Sequence, residues 1–148
     1  MIFPDNPRKY GTPPFKVVCV HGGPGAAGEM MPLCRRLAGC GISSLEALQT
    51  ASSLKAQLSE LKDLILANAE CPVCLVGFSW GAWLSFIFAA GRPELVKKLI
   101  LISSGAFEEK YVKDLHASRM ARLTTDERKE LDALLLVLND PQIPDKSE

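Results

Sequence analysis

The sequence has no long apolar run and no excess of charge of one sign. None of its hydrophobic stretches approaches the roughly 18 residues that a membrane-spanning helix requires. Lys and Arg total 17, and Asp and Glu also total 17, so the formal net charge is zero. A balanced chain of this kind lacks the basic surface with which proteins bind nucleic acid or anionic membranes. We therefore expect neither a nucleic-acid partner nor a membrane partner.

The N-terminus also lacks the apolar core of a secretory signal peptide. Its first eight residues, 1–8, are largely polar and contain two prolines. A cytoplasmic location is therefore the expectation from the sequence.

Histidine is scarce and cysteine does not occur in a disulfide pattern. The chain has two histidines and five cysteines, an odd number. Cys71 and Cys74 have C-x-x-C spacing, but they open a predicted strand, whereas a redox motif of this spacing normally opens a helix. A zinc site would need a second ligand pair, and none has suitable spacing. We expect no metal and no cofactor, and a thiol-redox role for these two cysteines is the more distant alternative.

What the sequence does contain is an alternation of predicted strands and helices. Apolar, β-rich runs predict strands at 15–20, 71–78 and 97–103, with a shorter strand within 42–48. Helical periodicity or continuous apolar character predicts helices at 28–38, from Ser53 onward, and at 82–90. Thr124 and Glu127 have the spacing of a capping box, which predicts a further helix. This order favours an α/β fold with a parallel sheet flanked by helices.

Two glycine-rich turns close predicted strands. The first is His21-Gly22-Gly23-Pro24-Gly25, and the second is Gly77-Phe78-Ser79-Trp80-Gly81. The second has the G-x-S-x-G spacing of a nucleophile elbow, a sharp turn between a strand and a helix. Both turns are predicted at the carboxyl ends of parallel strands, where open α/β sheets bind their ligands.

The spacing of the second turn makes Ser79 a candidate nucleophile. A serine hydroxyl is reactive only when it is exposed and a neighbouring base takes its proton. The small residues Gly77 and Gly81 leave room for such a turn. The backbone N–H groups of Trp80 and of Gly23, or of Gly22, are candidate donors to the oxyanion that forms during attack.

Each of these features also has a purely structural interpretation. G-x-S-x-G arises by chance, and glycines at a strand-to-helix turn can serve packing alone. His21 is expected to anchor its loop rather than to act as a base. Trp80 and Trp83 either line a pocket or belong to the core. The alternative to an enzyme is a non-catalytic module that keeps a pocket for a ligand or partner.

The two motifs together resemble the α/β-hydrolase superfamily. HGGPG after one strand and GFSWGA after the next, followed by a strand with LILISSG, are similar to the proline iminopeptidase-like branch and its esterase and C–C hydrolase relatives. The resemblance implies a serine hydrolase that cleaves a small ester or amide through an acyl-enzyme at Ser79. It also implies a partial hydrolase core over 15–105, an irregular lead-in at 1–14, and the start of a helical cap at 106–148, with Glu108 and Glu109 near the pocket.

The sequence departs from the family pattern in its second half. The family places its triad acid and histidine after later strands that this chain does not have, and little room precedes Phe15 for leading antiparallel strands. Asp114 and His116 follow Ser79 in the family order, but residues two apart on a helix point to different sides. We therefore expect a C-terminally truncated member with weak or no activity by itself. A sheet ending near Ser103 would also expose an edge for self-association.

Overall fold

A computed structural model describes residues 6–23 and 26–138, so that Pro24 and Gly25 of the first turn lie outside the described residues. The chain forms two compact units, Met1–Gly105 and Ala106–Glu148. The described part of the first unit contains strands β1 (Arg8–Tyr10), β2 (Val17–Val20), β3 (Ser44–Ala47), β4 (Val73–Phe78) and β5 (Val96–Ile102), and helices α1 (Met31–Gly39), α2 (Leu54–Asn68) and α3 (Trp80–Gly91). The described part of the second unit contains α4 (Val112–Met120) and α5 (Thr125–Leu138).

The five strands form one sheet in the order β1-β3-β2-β4-β5. Strands β3, β2, β4 and β5 are parallel, which confirms the predicted parallel sheet, while β1 pairs with β3 in the antiparallel direction. The prediction that residues 1–14 are irregular, with no room for a leading antiparallel strand, is therefore wrong for Arg8–Tyr10. The strand has no apolar pattern from which it could be predicted. Two of its side chains, Arg8 and Tyr10, bond to Glu46 of β3.

The ends of the helices follow local capping chemistry. The hydroxyl of Ser53 accepts a hydrogen bond from the N–H of Ala56 (3.3 Å) and begins α2. The predicted capping box at α5 is confirmed, since the N–H of Thr124 donates to the Glu127 carboxylate (2.7 Å) and the N–H of Glu127 donates to the Thr124 hydroxyl (3.3 Å). Pro32 lies in the first turn of α1, where its missing N–H costs no helical bond.

Apolar side chains cover both faces of the sheet. Alternate residues of β2 point to opposite faces, so Val18 and Val20 belong to one cluster and Cys19 to the other. The larger cluster packs under α2 and α3 and includes Leu61, Leu64, Ile65, Leu75, Leu84 and Phe88. The smaller cluster packs under α1 and is made of Cys19, Met30, Cys34 and Val76. Helices therefore flank the sheet on both sides, as the alternation of elements predicts.

Strand β5 is less buried than the inner strands. Among the described strands it pairs only with β4. Ile100 is 41% exposed and Leu101 is 37% exposed, whereas Val18 and Leu75 in the inner strands are fully buried. The inner strands β2 and β4 are thus buried, and β5 lies at the more exposed side of the described sheet.

In the second unit, α4 contains both Asp114 and His116. Two residues along an α-helix turn the side-chain direction by about 200°, so the two side chains diverge. Within the described residues, no helix combines the length and apolarity needed to cross a bilayer.

Candidate active site

Ser79 occupies a sharp turn between β4 and α3. Its backbone has φ +53° and ψ −117°, a conformation that residues with a side chain rarely adopt. The N–H of Ser79 donates to the carbonyl of Ile102 (3.0 Å), which fixes the turn against the end of β5. Backbone strain at a single residue persists only where the surrounding structure enforces it. The sequence prediction of a strand-to-helix turn at Ser79 therefore has a structural counterpart.

The two glycines of the motif are required by close backbone contacts. A Cβ atom at Gly77 would overlap the carbonyl of Gly81 and would lie 2.6 Å from the hydroxyl of Ser85. A Cβ atom at Gly81 would overlap the carbonyl oxygens of Val20 and His21. The spacing of the motif thus follows from packing between β4, α3 and β2, whatever the chemical role of Ser79.

His21 anchors the loop that faces this turn. Its side chain is buried, and its Nδ1 lies 2.8 Å from the carbonyl oxygen of Gly22 while its Nε2 lies 3.1 Å from the N–H of Gln49. Because a carbonyl only accepts and an N–H only donates, Nδ1 bears the proton and Nε2 accepts. The side chain of Gln49 also donates to the carbonyl of His21 (2.7 Å). Both ring nitrogens are therefore committed to holding the loop.

Gly22 and Gly23 of the first glycine-rich turn differ from each other. The N–H of Gly22 donates to Oε2 of Glu29 (2.9 Å), so it is already engaged. A Cβ atom at Gly22 would lie 3.3 Å from the Cβ of Ser79, which places this backbone against the turn at Ser79. Gly23, by contrast, has open space around the position of a Cβ atom. The two glycines therefore differ in how much space lies beside them.

Trp80 begins helix α3 directly after Ser79. The first N–H groups of a helix have no partner within the helix and lie at the positive end of its dipole. The indole N–H of Trp80 donates to the side chain of Gln57 on α2 (3.1 Å), which holds the ring against the neighbouring helix. The indole N–H of Trp83, one turn further, donates to the carbonyl of Gly105 (3.3 Å). Both tryptophans are half-buried, so neither belongs to the buried core.

The buried carboxylate of Glu46 supports the segment that follows the first glycine-rich turn. Glu46 is fully buried, and its Oε1 accepts from the N–H of Met30 (3.1 Å) at the start of α1. Its Oε2 accepts from the hydroxyl of Tyr10 (3.0 Å) and lies 3.6 Å from Nη1 of Arg8. Burial of Tyr10 and its bond to this carboxylate raise the pKa of the phenol to about 12. These bonds fasten the segment that follows the first glycine-rich turn to β1 and β3.

Cys71 and Cys74 do not have the surroundings of a redox motif. Burial raises the pKa of both Cys71 and Cys74, whereas a redox motif lowers the pKa of its attacking thiol. Cys19 and Cys34 are fully buried against each other, and this pairing and their burial raise the pKa of Cys19. Among the described residues, no group of three or more His, Cys, Asp or Glu side chains is placed to bind a metal ion.

Comparisons with known proteins place this geometry in a fold. No family model and no curated protein sequence matches the chain. Solved structures do match. VinJ has a TM-score of 0.73 and 22% sequence identity over 93% of this chain and 53% of its own. A thioesterase domain from the curacin biosynthetic pathway has a TM-score of 0.59 and 27% identity over 79% of this chain and 50% of its own.

A third match is the putative non-heme bromoperoxidase BpoC from Mycobacterium tuberculosis H37Rv, with a TM-score of 0.62 and 19% identity over 92% of this chain and 56% of its own. All three share the α/β-hydrolase architecture of a mostly parallel sheet with helices on both faces. The chain has the α/β-hydrolase fold. It spans about half the length of the solved structures that it matches.

The resemblance stated from the sequence is therefore confirmed at the level of the superfamily. The narrower likeness to the proline iminopeptidase-like branch stays a prediction. Lipases and an esterase are also among the similar α/β-hydrolase structures, so the chain is hydrolase-like in its architecture. Sequence reasoning did not find Glu29 or Glu46 as supports of the first glycine-rich turn and the segment that follows it. Neither belongs to a motif, although a carboxylate within an otherwise apolar strand is a signal that could have drawn attention to Glu46.

Proposed function

We propose that the chain has the nucleophile site of a serine hydrolase that cleaves a small ester or amide, with Ser79 as nucleophile. The observation that supports this most directly is the backbone of Ser79, held at φ +53° between Gly77 and Gly81. Such strain is typical of functional sites, where it presents a side chain to a ligand. A turn needed only for packing would be built at lower cost with a third glycine at this position.

The proposed reaction uses the two turns together. The Ser79 hydroxyl attacks the carbonyl carbon of the substrate, and its proton passes to a base. The carbonyl oxygen becomes an oxyanion, which accepts hydrogen bonds from the N–H groups of Gly23 and Trp80. The leaving alcohol or amine then departs with a proton, and water hydrolyses the acyl-enzyme. Gly22 is the weaker candidate donor, because its N–H is already bonded to Glu29.

The general base that would take the Ser79 proton is the part of the proposed mechanism that this chain supports least. His21 has both ring nitrogens bonded within its loop. On α4, Asp114 points away from the direction of His116, so it does not orient that ring in the manner of a triad acid. Losing the base costs a serine hydrolase nearly as much rate as losing the whole triad. We therefore expect slow acylation and little turnover from this chain.

Intact mass after treatment with a fluorophosphonate tests the proposal. We expect one adduct on the native chain that is lost in Ser79→Ala. Ser103→Ala is the matched control, because Ser103 also has a positive φ (+48°) and also follows a parallel strand. An adduct that survives Ser79→Ala, or the absence of any adduct on the folded chain, would contradict the proposal.

The second candidate is a non-catalytic α/β-hydrolase-like module that binds a ligand or partner. The specific observation in its favour is the commitment of His21 and Gly22 to contacts within the protein. A folded chain that resists the fluorophosphonate under all conditions would favour this module over the enzyme.

A further inference from the structure

A second concave site lies between α2 and α3, away from Ser79. The cavity has a volume of about 330 Å³, within the range of small-molecule sites. Its α3 wall is made of Ile87, Phe88, Gly91 and Arg92, and it begins about 12 Å along the helix axis from Ser79. Its α2 wall is made of Lys55, Leu58, Ser59 and Lys62, which share one face of that helix. Neither sequence motif extends to these residues.

The floor of the cavity is apolar and belongs to the protein core. Phe88 is buried within the larger core cluster, and Leu58 packs against that cluster. Ile87 completes the apolar surface and is partly buried. An aliphatic or aromatic group that covered this floor would be removed from water, at a gain of roughly 25 cal/mol per Å² of apolar surface.

The rim of the cavity is cationic. Lys55 and Lys62 are two helical turns apart on α2, and Arg92 faces them from the end of α3. None of the described residues that line the cavity is acidic, and none of these three cations forms an ion pair with a described carboxylate. The adjacent Glu60 is directed elsewhere, since its carboxylate accepts from the N–H of Thr50 (3.0 Å). In a chain of zero net charge, this is a local segregation of positive charge.

We propose that this cavity binds an amphiphilic organic anion. The apolar body of the ligand lies on Leu58, Ile87 and Phe88, and its carboxylate lies among Lys55, Lys62 and Arg92. Arg92 is prepared for this role, because one of its N–H groups donates to the carbonyl of Gly91 (2.9 Å), which holds the guanidinium at the rim. The remaining guanidinium donors are available for a carboxylate.

Gly91 offers a direct way to test the site. Gly91 lines the cavity, it has no positive φ, and a Cβ atom there would meet no neighbouring atom within 4 Å. A larger side chain can therefore be added at the cavity wall without a clash at Cβ. Gly91→Leu is therefore a blocking variant that we expect to fold normally.

Titration of the ¹⁵N-labelled chain with octanoate, followed by amide chemical shifts, is the experiment. We expect shifts centred on Gly91 and at least tenfold tighter binding than for acetate, which lacks the apolar body, or 1-octanol, which lacks the charge. Equal affinity for octanoate and octanol would overturn the proposal, since it would leave the cations without a role. Shifts centred on Ser79 would equally overturn it.

Variants complete the test. We expect Gly91→Leu to abolish the shifts, and Lys55→Gln and Lys62→Gln each to weaken binding about threefold, the size of a solvent-screened ion pair. Lys97→Gln, an exposed cation on β5, is the control and should change nothing. Undiminished binding in Lys55→Gln and Lys62→Gln would overturn the proposal even if Gly91→Leu failed to fold. Because Ser79→Ala should bind octanoate normally, the outcome is separate from that of the proposed hydrolase activity.

Discussion

The carbonyl oxygen of Val20 lies directly against the Cα of Gly81, so that strand β2 and helix α3 meet through their backbones. Val20 immediately precedes the first glycine-rich turn, and Gly81 lies two residues after Ser79. The distance between the two glycine-rich turns is therefore set by main-chain atoms. Side-chain rearrangement cannot relieve a change at this contact.

Gly81→Ala should destabilise the protein by at least about 3 kcal/mol, because its methyl group would overlap two main-chain carbonyl oxygens. Urea unfolding at equilibrium measures this change. Gly39→Ala is the matched control: the Cβ position at Gly39, in the last turn of α1, meets no other atom within 4 Å. That variant should be unchanged or up to about 1 kcal/mol more stable. Similar stabilities for the two variants would contradict the proposed contact.

Ser79→Gly should be more stable than Ser79→Ala. Glycine adopts φ +53° without the steric cost that any Cβ atom brings, and strained residues of this kind cost about 1–3 kcal/mol. We expect a difference of about 1 kcal/mol in thermal or urea unfolding, with both variants unreactive towards fluorophosphonate. Equal stability would mean that the backbone at Ser79 relaxes more readily than the structure indicates.

Tyr10→Phe should lower stability in a pH-dependent way. The folded protein holds the Tyr10 proton up to a pKa of about 12, against 10.0 for an unperturbed tyrosine. The stabilisation from this group is therefore complete below pH 10 and is lost as the pH rises towards 12. Removing the hydroxyl also leaves Glu46 with one bond fewer, so we expect a loss of about 1–2 kcal/mol at pH 8.

Unfolding of both proteins between pH 8 and pH 11 measures this effect. The difference between the wild type and Tyr10→Phe should shrink above pH 10. A difference that stayed constant over the whole range would show that the Tyr10–Glu46 bond does not control the titration of the phenol.

Alkylation of the native chain should distinguish three classes of thiol. Cys40 is exposed and should react first, and Cys71 should follow more slowly because burial raises its pKa. Cys19 and Cys34 are buried and should react only after unfolding. Peptide mass mapping gives the order. Rapid formation of a Cys71–Cys74 disulfide under mild oxidation would support a thiol-redox role for these two cysteines.

Self-association through β5 stays a prediction, and the structure suggests how to test it. The outer edge of β5 is unpaired among the described strands, with Ile100 and Leu101 partly exposed. Lys97 and Lys98 lie on the same strand and should repel a second copy at low salt. We expect dimers that increase with protein and salt concentration in sizing experiments, and fewer dimers in Leu101→Lys. A protein that stays monomeric under all conditions would rule out this edge as an interface.

The sequence predicted the structure best where a residue pattern has a single physical explanation. Continuous apolar runs identified β2 and β4, and the spacing of Gly77 and Gly81 identified the turn at Ser79. The alternation of strands and helices was enough to predict the sheet and its two layers of helices. These signals are local, so they do not depend on knowing what packs against them.

Features that depend on distant partners were not predictable. Strand β1 is three residues long and polar, and it exists because Arg8 and Tyr10 bond to Glu46, which lies more than thirty residues away in the sequence. The contact of Glu29 with Gly22 depends on how the loop closes on itself. Helix α4 has almost no separation of apolar from polar side chains, so periodicity gave no signal for it.

The placement of the two tryptophans has a consequence for spectroscopy. Trp80 and Trp83 are the only tryptophans in the chain, and both lie in the first turn of α3 with their indole N–H groups bonded to Gln57 and Gly105. All indole emission therefore originates beside Ser79. Quenching or a spectral shift on adding a compound would report events at this turn without any attached label. Ile87 in the wall of the cavity lies one helical turn after Trp83, so fluorescence and amide shifts together would be needed to assign an event to one of the two sites.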